Sequence, residues 1–199
     1  DLPPEVLKAS AFTMTGLRPI PVAVTTAHGG RTNGLITLSG GPASVIAEAP
    51  RVMVGITKFN FSHDLIADGG VFTIHVLSNA PDLVDTSIEI VRALGGRSGR
   101  DGDKLGGLRT REGVTGAPIL LDALSYVEAR VTGSLDNEEN TVFVGDVVAA
   151  ERLNAGSRLD IGEAWGRLGL AWTEEYERNH EEQVDHCRLM RGLPIPERA

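Results

Sequence analysis

The hydrophobic positions along much of the chain recur with the two-residue period of β-strands. The alternation is clearest over residues 71–77, where Phe72, Ile74 and Val76 share one face. His75 points away from that face. β-rich runs of this kind cover residues 18–27, 32–39, 51–57, 71–77, 119–133 and 141–153. The pattern therefore predicts six β segments.

Turn residues between the first two β runs predict a hairpin. The sequence His28-Gly29-Gly30-Arg31 provides a turn that leaves two strands of matched length. Asn33-Gly34 is itself a strong hairpin signal and remains the alternative turn. Further along, Gly40-Gly41-Pro42 is expected to end the second strand.

Helix signals occur in three longer segments, which cover residues 62–69, 79–94 and 174–191. Ser62 and Thr173 occupy N-cap positions of the first and third segments, and Gly70 and Gly192 follow their ends. Residues 5–12 add a helical turn or two. Several β segments with two main helices and one short interrupting helix predict an α+β fold centred on a small barrel.

Two segments lack a periodic pattern. Residues 97–107 are rich in glycine and charge, so we expect a mobile loop or a lid. Residues 135–139 are acidic, and a solvated loop is the simplest interpretation. His180 shares a helical stripe with Tyr176, which favours packing over metal binding because no second ligand is suitably spaced. No metal site is predicted.

The composition is that of an ordinary globular protein and narrows the possible partners. Of 199 residues, 41% are hydrophobic and 23% are charged, and the net charge is −8. A nucleic-acid partner is not expected, because phosphate neutralisation needs clustered Lys and Arg. No long apolar run or signal-peptide plan is present, so no membrane partner is predicted. The single cysteine, Cys187, excludes an intrachain disulfide and favours a cytoplasmic location.

Several common catalytic and nucleotide-binding motifs are absent. The chain contains no G-x-G-x-x-G dinucleotide fingerprint and no G-x-x-x-x-G-K-[ST] phosphate loop. It also lacks the G-x-S-x-G elbow of hydrolases and the H-E-x-x-H zinc motif. A nucleotide-like ligand would therefore need a different phosphate cradle.

A set of short motifs follows an order that is typical of one group of flavoenzymes. The motifs are Asn33-Gly34-Leu35 followed by Ser39, Ser44 and Pro50; Lys58 and Ser62 ahead of Leu65-Ile66; the strand at residues 72–77; the loop at residues 98–106; and TVFVGDV at residues 141–147. In this order and spacing they resemble the flavin reductase family, the FMN-binding split-barrel reductases. The resemblance covers residues 18–153.

This resemblance implies a fold and a division of the chain. The fold is an antiparallel, Greek-key-like FMN-binding split β-barrel with flanking helices and a C-terminal helix. Residues 1–17 would form an N-terminal extension, residues 18–160 the flavin-binding barrel, and residues 161–199 a helical extension that packs on the barrel or on a dimer partner. Such barrels pair as homodimers with the flavin near the interface.

The resemblance also implies the activity of an oxidoreductase, an NAD(P)H-dependent flavin reductase. Hydride would pass from nicotinamide C4 to flavin N5, and reduced FMN would leave for a partner flavin-dependent monooxygenase. FMN, or FAD in its place, is the expected cofactor, with NADH or NADPH as the co-substrate. No catalytic side chain is expected, because the protein's task is to position two rings.

The expected cofactor-binding residues are Thr32, Asn33, Gly34, Leu35, Ser39, Gly40, Gly41, Ser44, Lys58, Asn60, Ser62 and Lys104. Among them, Lys58, Asn60 and Ser62 would hold the phosphate where a helix N-terminus presents free N–H groups. The plain alternative is a surface lysine followed by a capping serine.

Four other residues are candidates for contacts with the rings. His28 and Asn140 are candidate nicotinamide contacts. Trp165 and Trp172 have the chemistry to stack on a flavin, but core or dimer packing is the preferred interpretation.

Departures from the family pattern keep two alternative functions open. Asn140 stands where the family often has His, and Leu105 stands where it has Phe. Both positions fall on the expected nicotinamide side, which favours a flavin-binding electron carrier without reductase activity. The second alternative is a split barrel that binds haem or another cofactor.

Overall fold

The computed structural model of the protein describes residues 2–197, in which seven antiparallel strands form one curled sheet. In spatial order the strands are β2 (Arg31–Thr37), β1 (Val22–His28), β5 (Val71–Val76), β8 (Ser125–Asn137), β9 (Asn140–Arg152), β4 (Arg51–Thr57) and β3 (Gly40–Pro42). A separate hairpin joins β6 (Thr110–Glu112) to β7 (Pro118–Leu120). The helices are α1 (Pro4–Gly16), α2 (Phe61–Gly69), α3 (Val84–Gly95), α4 (Ile161–Leu168) and α5 (Leu170–Met190).

This architecture confirms the predicted α+β split barrel with flanking helices and a C-terminal helix. The predicted terminal extensions include residues 1, 198 and 199, which lie outside the described residues. The division of the chain into three parts stays a prediction.

The turn between β1 and β2 is the one that the sequence favoured. Gly29 and Gly30 have φ angles of 58° and 76°, which glycine adopts without steric cost. A two-residue turn with two positive φ angles matches the twist of the paired strands. Asn33 pairs with Thr26 in the middle of the hairpin, so the alternative Asn33-Gly34 turn is wrong.

The sheet closes on itself where the chain passes from β2 into β3. The Thr37 hydroxyl donates to the Gly55 carbonyl at 3.2 Å, and the Gly55 amide donates to the Ser39 carbonyl at 2.7 Å. β2 ends before Gly40, as predicted, but residues 40–42 then form a short strand of their own, in which Gly40 pairs with Val54 of β4. Because β2 and β3 lie at opposite edges of the sheet, this crossing brings the edges together into a barrel.

Apolar side chains pack on both faces of the curled sheet. The cluster inside the barrel includes Val24, Leu35, Val54, Ile56, Phe72 and Phe143. The cluster outside the barrel includes Ala23, Leu77, Ile88, Leu94, Ala164 and Leu168, and it places α3 and α4 against the sheet. Because β5 is covered on both faces, His75 is buried as completely as Phe72.

Three helix boundaries differ from the prediction. α2 has Asn60 as its N-cap residue, so Ser62 lies inside the helix and is buried. α3 begins at Val84, because the residues before it form a separate turn. α5 begins earlier than predicted, and the Thr173 hydroxyl donates to the Leu170 carbonyl at 2.9 Å within its first turn.

The sequence pattern did not predict one helix and underestimated the length of two other elements. α4 was not predicted, although the Asp160 carboxylate accepts a capping bond from the Glu163 amide at 2.8 Å. α1 continues to Gly16, beyond the one or two turns expected. β8 extends to Asn137, so most of the expected acidic loop is strand.

We expect His75 to make the stability of the barrel depend on pH. Burial lowers the pKa of His75 from 6.5 to about 4, and the neutral ring bridges the Ala23 carbonyl and the Leu120 amide. The unfolded chain therefore binds a proton that the folded chain does not. The free energy of unfolding should fall as pH drops from 6.5 towards 4, by about 3 kcal/mol in total.

Urea denaturation of the wild type and of His75→Gln at pH 7 and pH 4.5 measures this contribution. The variant should lose stability at pH 7 and show a smaller difference between the two pH values. His28→Gln, at an exposed turn, is the control and should keep the wild-type difference. Equal pH dependence in all three proteins would contradict the assignment.

Candidate functional site

Asn33 connects β2 to the first turn of α2. Its side chain is 4% exposed, and its Nδ2 donates to the buried Ser62 Oγ at 2.9 Å. A buried hydrogen bond of this kind is costly to lose, because the remaining partner stays away from water. Two residues predicted to share one site, 29 positions apart in the chain, are therefore in direct contact.

The loop at residues 97–104 packs over this connection. Gly99 lies so close to the Asn33 carboxamide that a Cβ atom there would overlap it. The Arg100 guanidinium donates to the Phe59 carbonyl and to the Asp64 carboxylate, both at 2.8 Å. The segment that was expected to be a mobile loop or a lid has no regular secondary structure and is docked on α2 by these contacts.

A cleft lies beside this junction, between the barrel and α5. It consists of two adjoining cavities of about 310 and 340 Å³, a size typical of small-molecule sites. Strands β2 and β4 and the end of α3 form one side, and α4 and α5 form the other. The residues that line both cavities are Asn60, Gly95, Arg97, Lys104, Tyr176, His180 and Gln183.

Lys104 is a buried cation in the wall of this cleft. The residue is 5% exposed, and no carboxylate within residues 2–197 pairs with it. Burial, with a smaller contribution from the neighbouring charge of Arg97, lowers the pKa of Lys104 to about 8. A buried ammonium group beside a cavity is suited to bind an anionic group of a ligand, because burial of a charge is costly until it is paired.

The structure brings part of the predicted cofactor-binding set together at the cleft. The predicted residues that line it are Asn33, Leu35, Ser39, Asn60 and Lys104. Ser62 lies behind Asn33, to which it is hydrogen-bonded. The predicted residues that do not line it are Thr32, Gly34, Gly40, Gly41, Ser44 and Lys58.

Lys58 has a different partner in this structure. Its Nζ lies 2.7 Å from the Asp136 carboxylate on the β8–β9 hairpin, and this hydrogen bond lowers the pKa of Asp136. Ser44 is also engaged locally, since its Oγ accepts a bond from the Ile46 amide in an exposed loop. Lys104, rather than Lys58, is therefore the ammonium group at the cleft.

The two candidate nicotinamide contacts lie in different places. Asn140 lines the cleft, and its side chain lies beside Gly55. His28 is exposed at the β1–β2 turn next to Gly69 and does not line the cleft.

A row of aromatic side chains forms the α4–α5 side of the cleft. Trp172 and Tyr176 are stacked with ring centroids 5.3 Å apart, and Tyr176 and His180 are stacked at 5.8 Å. Trp165 meets Tyr176 nearly at right angles, at 5.1 Å. Burial raises the pKa of the Tyr176 hydroxyl.

The sequence did carry a signal for this row. Trp172, Tyr176 and His180 follow one another at intervals of four residues, which places them on one face of a helix. The sequence favours core or dimer packing for Trp165 and Trp172. Trp172 does pack against the cluster outside the barrel, and both residues also line the cleft.

Polar contacts hold α5 against the barrel. The Asn179 amide donates to the Gly96 carbonyl at 3.1 Å, and Gln183 donates to the Thr57 hydroxyl. Within residues 2–197 we find no helix with the length and apolarity needed to cross a membrane. The same residues include no group of three or more His, Cys, Asp or Glu side chains arranged to hold a metal ion.

Comparison with known proteins gives a consistent family match. The family model described as "Flavin reductase like domain" matches residues 9–166. Among curated proteins, the ferric-chelate reductase (NAD(P)H) of Archaeoglobus fulgidus is 30% identical over 104 residues, covering 52% of this chain and 59% of the relative. The FMN reductase (NADH) SmoA of Agrobacterium fabrum is 29% identical over 126 residues, covering 63% of this chain and 67% of the relative.

Solved structures share the fold. An FMN-binding protein from Thermus thermophilus is 27% identical, with a TM-score of 0.59, and the match covers 67% of this chain and 71% of that one. The chain spans between 48% and 67% of the length of four curated relatives that it matches. The matched family region ends before α5, so most of the aromatic row lies beyond it.

Gly99→Ala is expected to destabilise the protein by displacing the loop at residues 97–104. The added methyl group would overlap the buried Asn33 carboxamide, and overpacking of this kind costs about 1–3 kcal/mol. Gly107→Ala is the matched control, because its Cβ would meet no atom within 4 Å. Urea denaturation compares the two variants. Equal free energies of unfolding would show that the loop does not pack on Asn33.

Proposed function

The chain belongs to the flavin reductase like domain family, and from this premise we propose that it is an NAD(P)H-dependent flavin reductase that holds FMN or FAD in the cleft. The observation that carries the proposal is Lys104, a buried ammonium group without a carboxylate partner within residues 2–197, placed beside the start of α2. Both features favour the phosphate of a nucleotide-like cofactor.

The phosphate end of the proposed site combines three sources of positive potential. Lys104 and Arg97 line the cleft, and the first turn of α2 follows Asn60 there. The first N–H groups of a helix lack intrahelical partners and carry partial positive charge, so they bind anions. These local donors offset a net charge of −8 on the whole chain.

The ring end of the proposed site lies along β2 and β4. Leu35, Ser39 and Gly55 line this part of the cleft, where side chains are apolar or small. Main-chain groups of a strand next to such a surface can hydrogen-bond to the polar edge of a flavin ring. Five other predicted cofactor-binding residues adjoin this part of the cleft in sequence and stay in the proposal. They are Thr32, Gly34, Gly40, Gly41 and Ser44.

The flavin would accept hydride at N5 from nicotinamide C4, which is chemistry that the two cofactors supply. The chain would position the rings and exclude water, and it needs no acid or nucleophile for this step. Asn140 is the proposed nicotinamide contact at the cleft. A contact with His28 would require the nicotinamide to approach from the β1–β2 turn. NADH and NADPH both remain candidates as the co-substrate.

We extend the proposal to the partners of the reaction. Reduced flavin would pass to a flavin-dependent monooxygenase in the cytoplasm, which the family resemblance and the single cysteine support. A homodimer is supported by α1, which has no buried residue and exposes Phe12 at 84%, and by Leu17 just after its end, which is 74% exposed. A monomer by light scattering would contradict the dimer.

A flavin-binding electron carrier is the second candidate. The observation that favours it is that α5 forms one side of the cleft and is tied to the barrel through Asn179 and Gln183. A nicotinamide must enter beside this helix, whereas an electron carrier has no such requirement. A haem-binding barrel is the third candidate, and the absorption spectrum of the loaded protein distinguishes it.

Purified protein should bind FMN and oxidise NADH or NADPH when FMN is supplied. Flavin binding is followed by absorbance and fluorescence, and turnover by loss of reduced nicotinamide absorbance with each flavin and each nicotinamide. Binding without turnover would leave the electron carrier as the function. No flavin binding at all would contradict both of these proposals.

Lys104→Met should weaken FMN binding by about ten- to hundredfold, the range expected for losing a charge-assisted hydrogen bond. In the wild type, FMN affinity should stay constant below pH 8 and fall above it, because only the protonated ammonium attracts the phosphate. Titrations between pH 7 and 9.5 keep the phosphate a dianion throughout.

Two controls sharpen the Lys104 experiment. Riboflavin, which lacks the phosphate, should bind the wild type and Lys104→Met with similar affinity. Lys8→Met, which removes an exposed lysine on α1, should behave as the wild type. An FMN affinity that is independent of both Lys104 and pH would place the phosphate elsewhere.

A further inference from the structure

Trp165 differs from the other three rings of the aromatic row in having no stacked ring partner within residues 2–197. Tyr176 carries Trp172 on one face and His180 on the other, since these rings are stacked along α5 at intervals of four residues. Trp165 meets both Trp172 and Tyr176 at interplanar angles of 82° and 83°. Its ring plane is therefore nearly perpendicular to both, and these are its ring contacts within residues 2–197.

The row restrains the orientation of the Trp165 ring. Ring edges against a ring face form the favourable T-shaped arrangement, so Trp172 and Tyr176 hold the Trp165 plane in place. Trp172 is fixed in turn, because its indole packs on Gly95 and Gly96 at the end of α3. No ring is stacked on Trp165 within residues 2–197, and the residue lines the cleft while remaining 39% exposed.

From this geometry we propose that Trp165 is a stacking residue for a planar, electron-poor heteroaromatic ring bound in the cleft. The inference rests on the proposed function, which supplies two such rings, the isoalloxazine of the flavin and the nicotinamide of NAD(P). An indole is electron-rich, and offset stacking on an electron-poor ring is the arrangement that its exposed face favours. The residue positions the ring and takes no part in bond making.

Leucine and phenylalanine substitutions separate stacking from simple packing. Trp165→Leu keeps an apolar side chain but removes the aromatic face, and it should raise the dissociation constant of the stacked ligand about three- to tenfold. Trp165→Phe keeps an aromatic face and should stay within about twofold of the wild type. Leu170→Ala, an exposed position at the start of α5, is the control and should leave binding unchanged.

Three probes identify the ring. FMN and riboflavin are titrated into each variant by fluorescence, and NAD⁺ is titrated into FMN-saturated protein by calorimetry. A loss confined to FMN and riboflavin assigns the isoalloxazine to Trp165, and a loss confined to NAD⁺ assigns the nicotinamide. Thermal melting of each variant verifies that the fold is intact.

The outcomes also distinguish this inference from the proposed function. If the wild type binds no flavin, the proposed function fails before Trp165 is tested. If the wild type binds flavin and NAD⁺ while a folded Trp165→Leu protein binds all three probes within twofold of it, stacking on Trp165 is refuted. Equal losses in Trp165→Leu and Trp165→Phe would also refute it, because an aromatic face would then have no special role.

Discussion

The hydrogen bond between Asn33 and Ser62 fixes the position of the cleft. It is made by two buried polar side chains, one on a barrel strand and one in the first turn of α2. Each would be left unsatisfied if the helix moved away from the strand, and burial makes that loss costly. The start of α2 is thereby held next to β2, and Gly99 allows the following loop to pack directly on the same side chain. The loop in turn delivers Lys104 to the cleft.

The buried position of Lys104 explains how an acidic protein can hold an anion. Lowering a lysine pKa from 10.5 to about 8 corresponds to about 3 kcal/mol against the charged form, which arises mainly from lost solvation and in smaller part from the charge of Arg97. An anionic ligand offsets this cost, because it supplies the counter-charge that the protein lacks at that point. Exposed ion pairs such as Lys58–Asp136 contribute far less, since water screens both partners. Local desolvation therefore outweighs the net charge of the chain in determining what the cleft attracts.

The sequence was most informative where one residue type determines the local backbone. Gly29-Gly30 specified the hairpin because few other residues tolerate two successive positive φ angles. It was least informative where a tertiary contact decides the outcome. Gly40-Gly41-Pro42 has little intrinsic tendency to form a strand and does so because β4 pairs with it. Lys58 matched a family position, but the direction of its side chain depends on an ion pair with Asp136, which lies 78 positions away in the chain.

The same limit applies to the aromatic side of the cleft. The residues that line the cleft with Lys104 come partly from β2, β4 and residues 95–104, within the region that resembles the flavin reductases, and partly from α5, beyond it. Trp165 lies near the end of that region, and its supporting rings on α5 lie beyond it. The family motifs therefore indicate Lys104 but carry no information about the rings of α5. Because α5 has no buried residue, its position depends on contacts that the cleft itself provides. The side chains that close the cleft are thus held in place by the barrel they cover.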